Sequence, residues 1–203
     1  RKFKKKMALK REWILQHYIN DPLLYEGKKF HIRVFFLYHK FIDKKTKKIH
    51  KRGYILDTGC IYTAQEKYKT KDYSNRQKHD THKKRTLKPI YFQRDFTKKY
   101  GKERTKTAIK DLKKIFSVVL KCIDANCFKE SKYCYELFGA DIMLNSSFDM
   151  KLIEVNTKVG YATYKNDKVD INKIIMGNIL ETVIDPLCPP KNKSTLFKNM
   201  IEV

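Results

Sequence analysis

The 203-residue chain sets 46 Lys and Arg against 22 Asp and Glu, a formal charge of +24, and 41% of its residues are hydrophobic. That apolar fraction is enough to bury a core and excludes bulk disorder, and no apolar run reaches the ~18 residues needed to cross a bilayer. The five cysteines, odd in number and without a C-x₂-C pair, exclude a disulfide framework or zinc ribbon and suit reduced thiols in a cytosolic-type compartment. No h-region follows the charged N-terminus, so no signal peptide is expected. The chain opens on Arg rather than Met, as a fragment or a processed product would. So basic a surface attracts polyanions, whether nucleic acid, anionic membrane or acidic protein tails. A Lys-, Asn-, Ile-, Tyr- and Phe-rich composition also fits an A/T-rich gene, so charge supports an acidic partner without choosing one.

Residues 1–11 (RKFKKKMALKR) are mostly basic and begin abruptly, as if cut within a larger fold. Residues 12–20 (EWILQHYIN) read as an ordinary core strand, which Asp21-Pro22 breaks. Residues 28–40 (KKFHIRVFFLYHK) alternate, with Phe30, Ile32 and Val34 on one side and Lys29, His31 and Arg33 on the other. Three basic or titratable side chains in a row make either a phosphate or carboxylate site or a solvated strand face. A Lys-rich turn over 43–52 and a returning strand over 53–62 (GYILDTGCIY) follow. Residues 66–88, dense in Lys, Arg and His, read as a mobile basic surface loop. A zinc site on His79 and His82 there lacks partner ligands. Aromatics interleaved with Lys between Tyr62 and Tyr91 suggest nucleic-acid binding, though no binding motif accompanies them.

From 105 to 125, Ala108, Ile109, Leu112, Ile115, Phe116, Val119, Leu120 and Ile123 recur at helical spacing, which predicts a helix with one face inward. A second helix is expected from Asp170, as N-cap, through Ile171, Ile174, Ile175, Ile179, Leu180 and Val183 until Pro186 stops it. The Pro189-Pro190 tail reads as a short docked or frayed end, and 158–168 as a loop. There are no internal repeats and no Walker-type Gly loop.

Between the helices, residues 136–144 and 150–156 alternate around the turn formers Asn145-Ser146-Ser147-Phe148-Asp149, which predicts an antiparallel hairpin. Folded symmetrically, it pairs Leu144 with Lys151, Met143 with Leu152, and Asp141 with Glu154. One face then carries Gly139, Asp141, Met143, Leu152, Glu154 and Asn156, and the other Ala140, Ile142, Leu144, Ile153 and Val155 as core. Two carboxylates directly across a ladder lie roughly 5 Å apart at Cβ and repel. A shared proton, a nearby Lys or Arg, or a bound cation must compensate; the alternative is a pair of solvated acids. Met143 and Leu152 on the acids' own face argue against full exposure, and the two carboxylates with the Asn156 amide oxygen suit Mg²⁺.

The run ELFGADIML, a short turn and LIEVN resemble the metal-binding end of the tubulin–tyrosine ligase-like proteins, and Pro22 through Arg33 resembles that family's P-L-L-x-x-G-x-K-F-D-I-R signature. The resemblance runs from about Trp13 to Ile184. It implies an α+β, ATP-grasp-like fold, largely antiparallel sheet with helices packed on it. The chain would be one domain over 1–203, N-terminally incomplete and the C-terminal part of that fold. It implies a ligase that uses ATP and Mg²⁺ to join an amino acid to a carboxylate of an acidic protein tail, tubulin by expectation, through an acyl phosphate. By the same comparison Asp141, Glu154 and Asn156 are the metal triad, Asn156 also facing the nucleotide. Gln16, His17, Tyr18 and Ile19 are the adenine-binding hinge. Lys29 is nucleotide-binding, Arg33 lies near the reacting carboxylate, and Thr81 matches a family H-L-T-N motif, here His79-Asp80-Thr81-His82. The chain departs from the family at His31, where Asp is usual, at His82, where Asn is usual, and near Asp57, where an Arg is usual. Those departures leave open a degenerate member that keeps only a basic surface for acidic tails or nucleic acid. The resemblance implies a cytoplasmic, cytoskeleton-associated protein.

Overall fold

Strand β2 (Lys28–Ile42) is the axis of the molecule. Its β-branched and aromatic residues favour an extended, half-buried backbone, and its length lets it take partners along both edges. A computed structural model describes residues 15–56, 59–82, 90–126, 130–159, 171–190 and 200–203. On one edge β2 pairs with β3 (Ile49–Leu56) from Phe36↔Ile55 to Ile42↔Ile49, and with β4 (Cys60–Thr63) from Phe30↔Thr63 to Arg33↔Cys60. On the other it pairs with β6 (Cys134–Leu144), from Ile32↔Ile142 to Lys40↔Cys134. The short β1 (Leu24–Tyr25) joins the start of β2, β5 (Ile90–Tyr91) joins β4, β7 (Met150–Asn156) joins β6, and β8 (Met200–Glu202) joins β3. Among the described residues every strand pairing is antiparallel, which with the helices makes the fold α+β.

The helices cover the two faces of this sheet unequally. A four-residue helix, α1 (Arg76–His79), lies in the basic segment. A π-helical turn (Phe92–Phe96), α2 (Thr97–Tyr100) and the long α3 (Lys102–Asn126) follow β5. Leu112 and Phe116 of α3, with Phe92 and Phe96, bury Phe30, Ile32, Val34, Phe36 and Tyr38. Phe36 stacks on Phe116 with ring centroids 4.7 Å apart. Gly53 makes this packing possible, since a Cβ there would stand 2.7 Å from the Phe36 ring. Among the described residues, helical cover on the opposite face extends along only part of its length. Helix α4 (Ile171–Ile179) and the π-helical turn Leu180–Ile184 set Ile171, Ile175, Ile179 and Val183 over Phe35, Leu37 and Leu137. The row Lys29, His31 and Arg33 lies on this second face, beyond the α4 cluster.

Several expectations need correction. Residues 15–19 form no strand, and Leu15 is 95% exposed. The Lys-rich turn is shorter than expected, because β3 starts at Ile49. Leu180 is 51% exposed rather than core. The hairpin turns where expected, but Ile153 is an extra residue in β7: Asp141 faces Glu154, whereas Ile142 faces Leu152 and Met143 faces Lys151. A bulge of this kind moves the side chains between it and the turn to the other face, so Leu152 and Met150 pack against the α3-side core. Strand β8 carries too little pattern in three residues to have been expected. Asp57, Asp170, the first residues of the predicted opening strand and 160–168 lie outside the described residues.

Replacing Phe116 by Ala removes the ring stacked on Phe36 and is expected to cost about 3–5 kcal/mol of folding stability. Urea denaturation measures the loss, and a value under ~1 kcal/mol would deny α3 its central packing role.

Candidate functional site

The site is built on the stretch of the sheet that α4 leaves uncovered. Because β2 alternates, Lys29, His31 and Arg33 share one face, and the register sets Arg33 opposite Asp141 on β6. Asp141 in turn faces Glu154 on β7, and Gly139 faces Asn156. One row across three strands therefore reads Arg33, Asp141, Glu154, with Asn156 two residues beyond Glu154.

Asp141 is 2% exposed, and Arg33 clasps it through two hydrogen bonds: Nε donates to Oδ1 at 2.5 Å and Nη2 donates to Oδ2 at 3.0 Å. Burial pulls the Arg33 guanidinium down, but the hydrogen bonds and charge of Asp141, then Tyr62 and Glu154, lift it above its ordinary value. The bidentate geometry is the strong form of such a pair. Gly139 makes room for it, since a Cβ there would stand 3.2 Å from Arg33 Nη1. Of the compensations available to two facing acids, the folded chain uses the nearby Arg. Glu154 is exposed, and its Oε1 accepts from Asn156 Nδ2 at 2.9 Å. Asp141, Glu154 and Asn156 remain hard oxygen donors on one face, with carboxylate lone pairs beyond those Arg33 engages. As a donor set they fit Mg²⁺.

His31 is buried beside this pair. Its Nδ1 lies 2.6 Å from Thr81 Oγ1, its ring stacks on His82 at 4.7 Å, and Tyr62 lies against it at 5.2 Å. Burial first, then the charges of His82 and Arg33, push it down to about 3 against the opposing pull of Glu154. Neutral at physiological pH, it forms no ion pair with Asp141, whose Oδ1 lies 3.7 Å from Nε2. Lys29 is also buried. Its Nζ donates to Tyr18 Oη at 2.9 Å, and burial alone lowers it to about 8. Tyr18 Oη lies 2.6 Å from His79 Nδ1, in an aromatic group completed by Tyr68 and Tyr73. Burial and then its tyrosine neighbours push Tyr18 up to about 12.

The fold thus gathers Lys29, Arg33, Asp141, Glu154, Asn156 and Thr81 around one strand face, and joins Tyr18 to it through Lys29. Gln16 and His17 are exposed and Ile19 half-buried on the same segment. His79 and His82 do not pair: His79 turns to Tyr18 and the Asp72 carbonyl, and His82 to His31. The grouping of His31, Thr81 and His82 escaped sequence reasoning. Its only signal was that two of the departures from the family pattern are both histidines.

An antiparallel sheet with one face layered by helix and the other partly left to a cationic and acidic row is the arrangement of an ATP-grasp-like protein. A family model described as "Tubulin-tyrosine ligase family" matches residues 2–195. The chain belongs to the tubulin-tyrosine ligase family. It is 24% identical over 178 residues to a probable tubulin polyglutamylase of Bos taurus, covering 84% of this chain and 38% of that protein. It is 22% identical over 189 residues to a probable alpha-tubulin polyglutamylase of Tetrahymena thermophila, covering 87% and 45%. A probable tubulin–tyrosine ligase of Schizosaccharomyces pombe is 24% identical over 203 residues, covering 94% and 45%. The chain thus spans under half the length of these relatives.

Arg33→Met keeps most of the side-chain volume but strands a buried carboxylate, and is expected to destabilise the fold by about 3–5 kcal/mol. Denaturant titration checks this; a loss below ~1 kcal/mol would mean that Asp141 is served by another cation. His31 sets a pH dependence. Its folded value of about 3 lies below the ordinary 6.5, so its contribution is whole above 6.5 and is lost as pH falls toward 3. In chelator-containing buffer the wild type should lose on the order of 1 kcal/mol per pH unit below 6.5 relative to His31→Gln. Parallel stability-versus-pH curves for the two proteins would contradict the assignment.

Proposed function

We propose that the protein is an ATP- and Mg²⁺-dependent ligase that attaches an amino acid to a carboxylate on an acidic protein tail, with tubulin as the acceptor. The observation that carries this reading is the row Arg33–Asp141–Glu154 with Asn156 beside it, a hard-oxygen donor set next to fixed cations on a partly covered sheet face. The names of the matched relatives support an acceptor on tubulin. The charge of +24 supports attraction of an acidic tail over long range.

In the proposed reaction the γ-phosphoryl group of ATP passes to an acceptor carboxylate oxygen, giving an acyl phosphate and ADP. The amine nitrogen of the incoming amino acid then attacks the acyl carbon. The C–N bond forms, the phosphate leaves with the C–O electron pair, and the amine gives up a proton. Mg²⁺, held by Asp141, Glu154 and Asn156, would supply Lewis-acid stabilisation of the phosphoryl oxygens. Lys29 stays mostly protonated at pH 7 with its value near 8, so its ammonium can neutralise phosphate charge. Arg33 supplies a second cation, oriented by its bonds to Asp141, where charge develops during transfer. The segment Gln16, His17, Tyr18 and Ile19 would receive the adenine. Its link to the phosphate row through the Tyr18–Lys29 hydrogen bond supports that role, and the contact of Thr81 with His31 in that row supports a place for Thr81 beside the nucleotide.

Among the described residues no helix is long and apolar enough to cross a membrane. A cytoplasmic, cytoskeleton-associated location follows from the proposed acceptor.

The test is Mg·ATP binding to the full-length protein by calorimetry, followed by ATP-dependent incorporation of labelled Glu, Gly or Tyr into tubulin. Glu154→Gln keeps shape and removes charge, and should lower Mg²⁺-dependent transfer by about 10²-fold or more. Unaltered Mg²⁺ dependence in that variant would remove Glu154 from the ligand set. Nucleotide binding without transfer would make the protein a degenerate binding module instead.

A further inference from the structure

His31 presents a chemical problem that the ligase reading does not use. It is 3% exposed, and its Nδ1 is engaged with the Thr81 hydroxyl. Its other ring nitrogen, Nε2, is buried and has no hydrogen-bond partner among the described residues. A buried polar atom left unpaired costs roughly 1–3 kcal/mol. Here Nε2 lies toward Asp141 Oδ1, at a distance too long for a hydrogen bond. If Nδ1 carries the proton and donates it to Thr81, Nε2 offers a lone pair toward a carboxylate, and two acceptors face each other 3.7 Å apart. A cation between them would satisfy both.

A third ligand is at hand. His82, brought over by the segment after α1, stacks on His31. One ligand atom from each of His31, His82 and Asp141 can be chosen so that all lie within 4.8 Å of one another. Ligands bound at about 2 Å to a tetrahedral ion stand about 3.3 Å apart. The His31–Asp141 edge, at 3.7 Å, is near that already. The remaining closure falls on His82, whose side chain is exposed and would turn from its stack on His31 to present a nitrogen. The surroundings resemble those of an occupied site: the second nitrogen of the buried ligand is held by Thr81, and the carboxylate is oriented by Arg33, the kind of outer contact that fixes ligand direction.

We propose that His31, His82 and Asp141 bind one divalent transition-metal ion of the zinc class. Two imidazoles and one carboxylate favour zinc, cobalt or nickel over magnesium, because nitrogen donors suit ions late in the Irving–Williams order. Three protein ligands leave a coordination position for water or another small ligand. The site shares only Asp141 with the oxygen set and does not depend on the ligase reading.

Metal-stripped protein titrated with Co²⁺ should bind one equivalent, with a visible absorption band of nitrogen-ligated cobalt that Zn²⁺ displaces and millimolar Mg²⁺ does not. Because His82 is exposed, His82→Asn should fold normally, as a thermal melt can verify, and should weaken Co²⁺ by at least about 10-fold; Thr81→Ala should weaken it by about the same factor through loss of orientation. Glu154→Gln should leave the band unchanged. Absence of saturable Co²⁺ binding, or binding indifferent to His82→Asn, would overturn the proposal. So would a band lost in Glu154→Gln but kept in His82→Asn, which would assign the ion to the oxygen donors. Failure of ATP-dependent transfer would leave the cobalt result untouched, so the two readings fail separately.

Discussion

The clasp of Arg33 on Asp141 is the contact on which the rest of the site depends. It joins the two central strands at a register position where the sheet must bury a carboxylate, and an unpaired charge there would be strongly destabilising. With both oxygens of Asp141 hydrogen-bonded, a second acid can stand opposite on β7 without the repulsion that two bare carboxylates would suffer. The clasp also explains Gly139: the guanidinium lies where a side chain on the neighbouring ladder position would otherwise be. A structural ion pair and a candidate reaction centre are thus the same atoms.

Strand β2 makes this arrangement possible by changing character along one face. Lys29, His31 and Arg33 give way without interruption to Phe35 and Leu37, which α4 covers. The other face stays apolar throughout, from Phe30 to Tyr38, under α3. The charged row is therefore backed by a continuous apolar layer and bounded along the strand by another. In such surroundings electrostatic interactions are stronger than in water, and burial also lowers both Lys29 and His31.

What was legible from the residues follows the same physics. The β2 alternation, the amphipathic α3 and the apolar stripe of α4 each carry a period long enough to read, and the structure repeats them. The facing of Asp141 and Glu154 was legible because both lie on the Asn156 side of the bulge. The pairings nearer the turn were not, because a period-two pattern does not reveal that Ile153 is supernumerary, and Leu152 consequently changed face. Residues 12–20 looked like a strand because they are apolar; the described part, 15–19, forms no strand, and Tyr18 anchors it instead through Lys29 and His79. The grouping of His31 with Thr81 and His82 depends on a contact across about fifty positions of sequence, which no local pattern encodes.

The site's charge balance bears on what Asp141 can accept. Arg33 and Lys29 offset Asp141 and Glu154, so an added dication meets a region with little surplus negative charge. On the oxygen side the deficit can be met by the phosphates of a nucleotide, which bring their own charge and turn the cations into favourable neighbours. Ion and nucleotide should therefore strengthen one another there. On the imidazole side the two nitrogen ligands are uncharged and Asp141 alone brings charge, so binding depends more on donor strength at nitrogen than on Coulomb attraction. An ion held that way owes little to nucleotide and less to ionic strength. The same carboxylate thus stands between two coordination chemistries, and its neighbours, rather than Asp141 itself, decide which ion it serves.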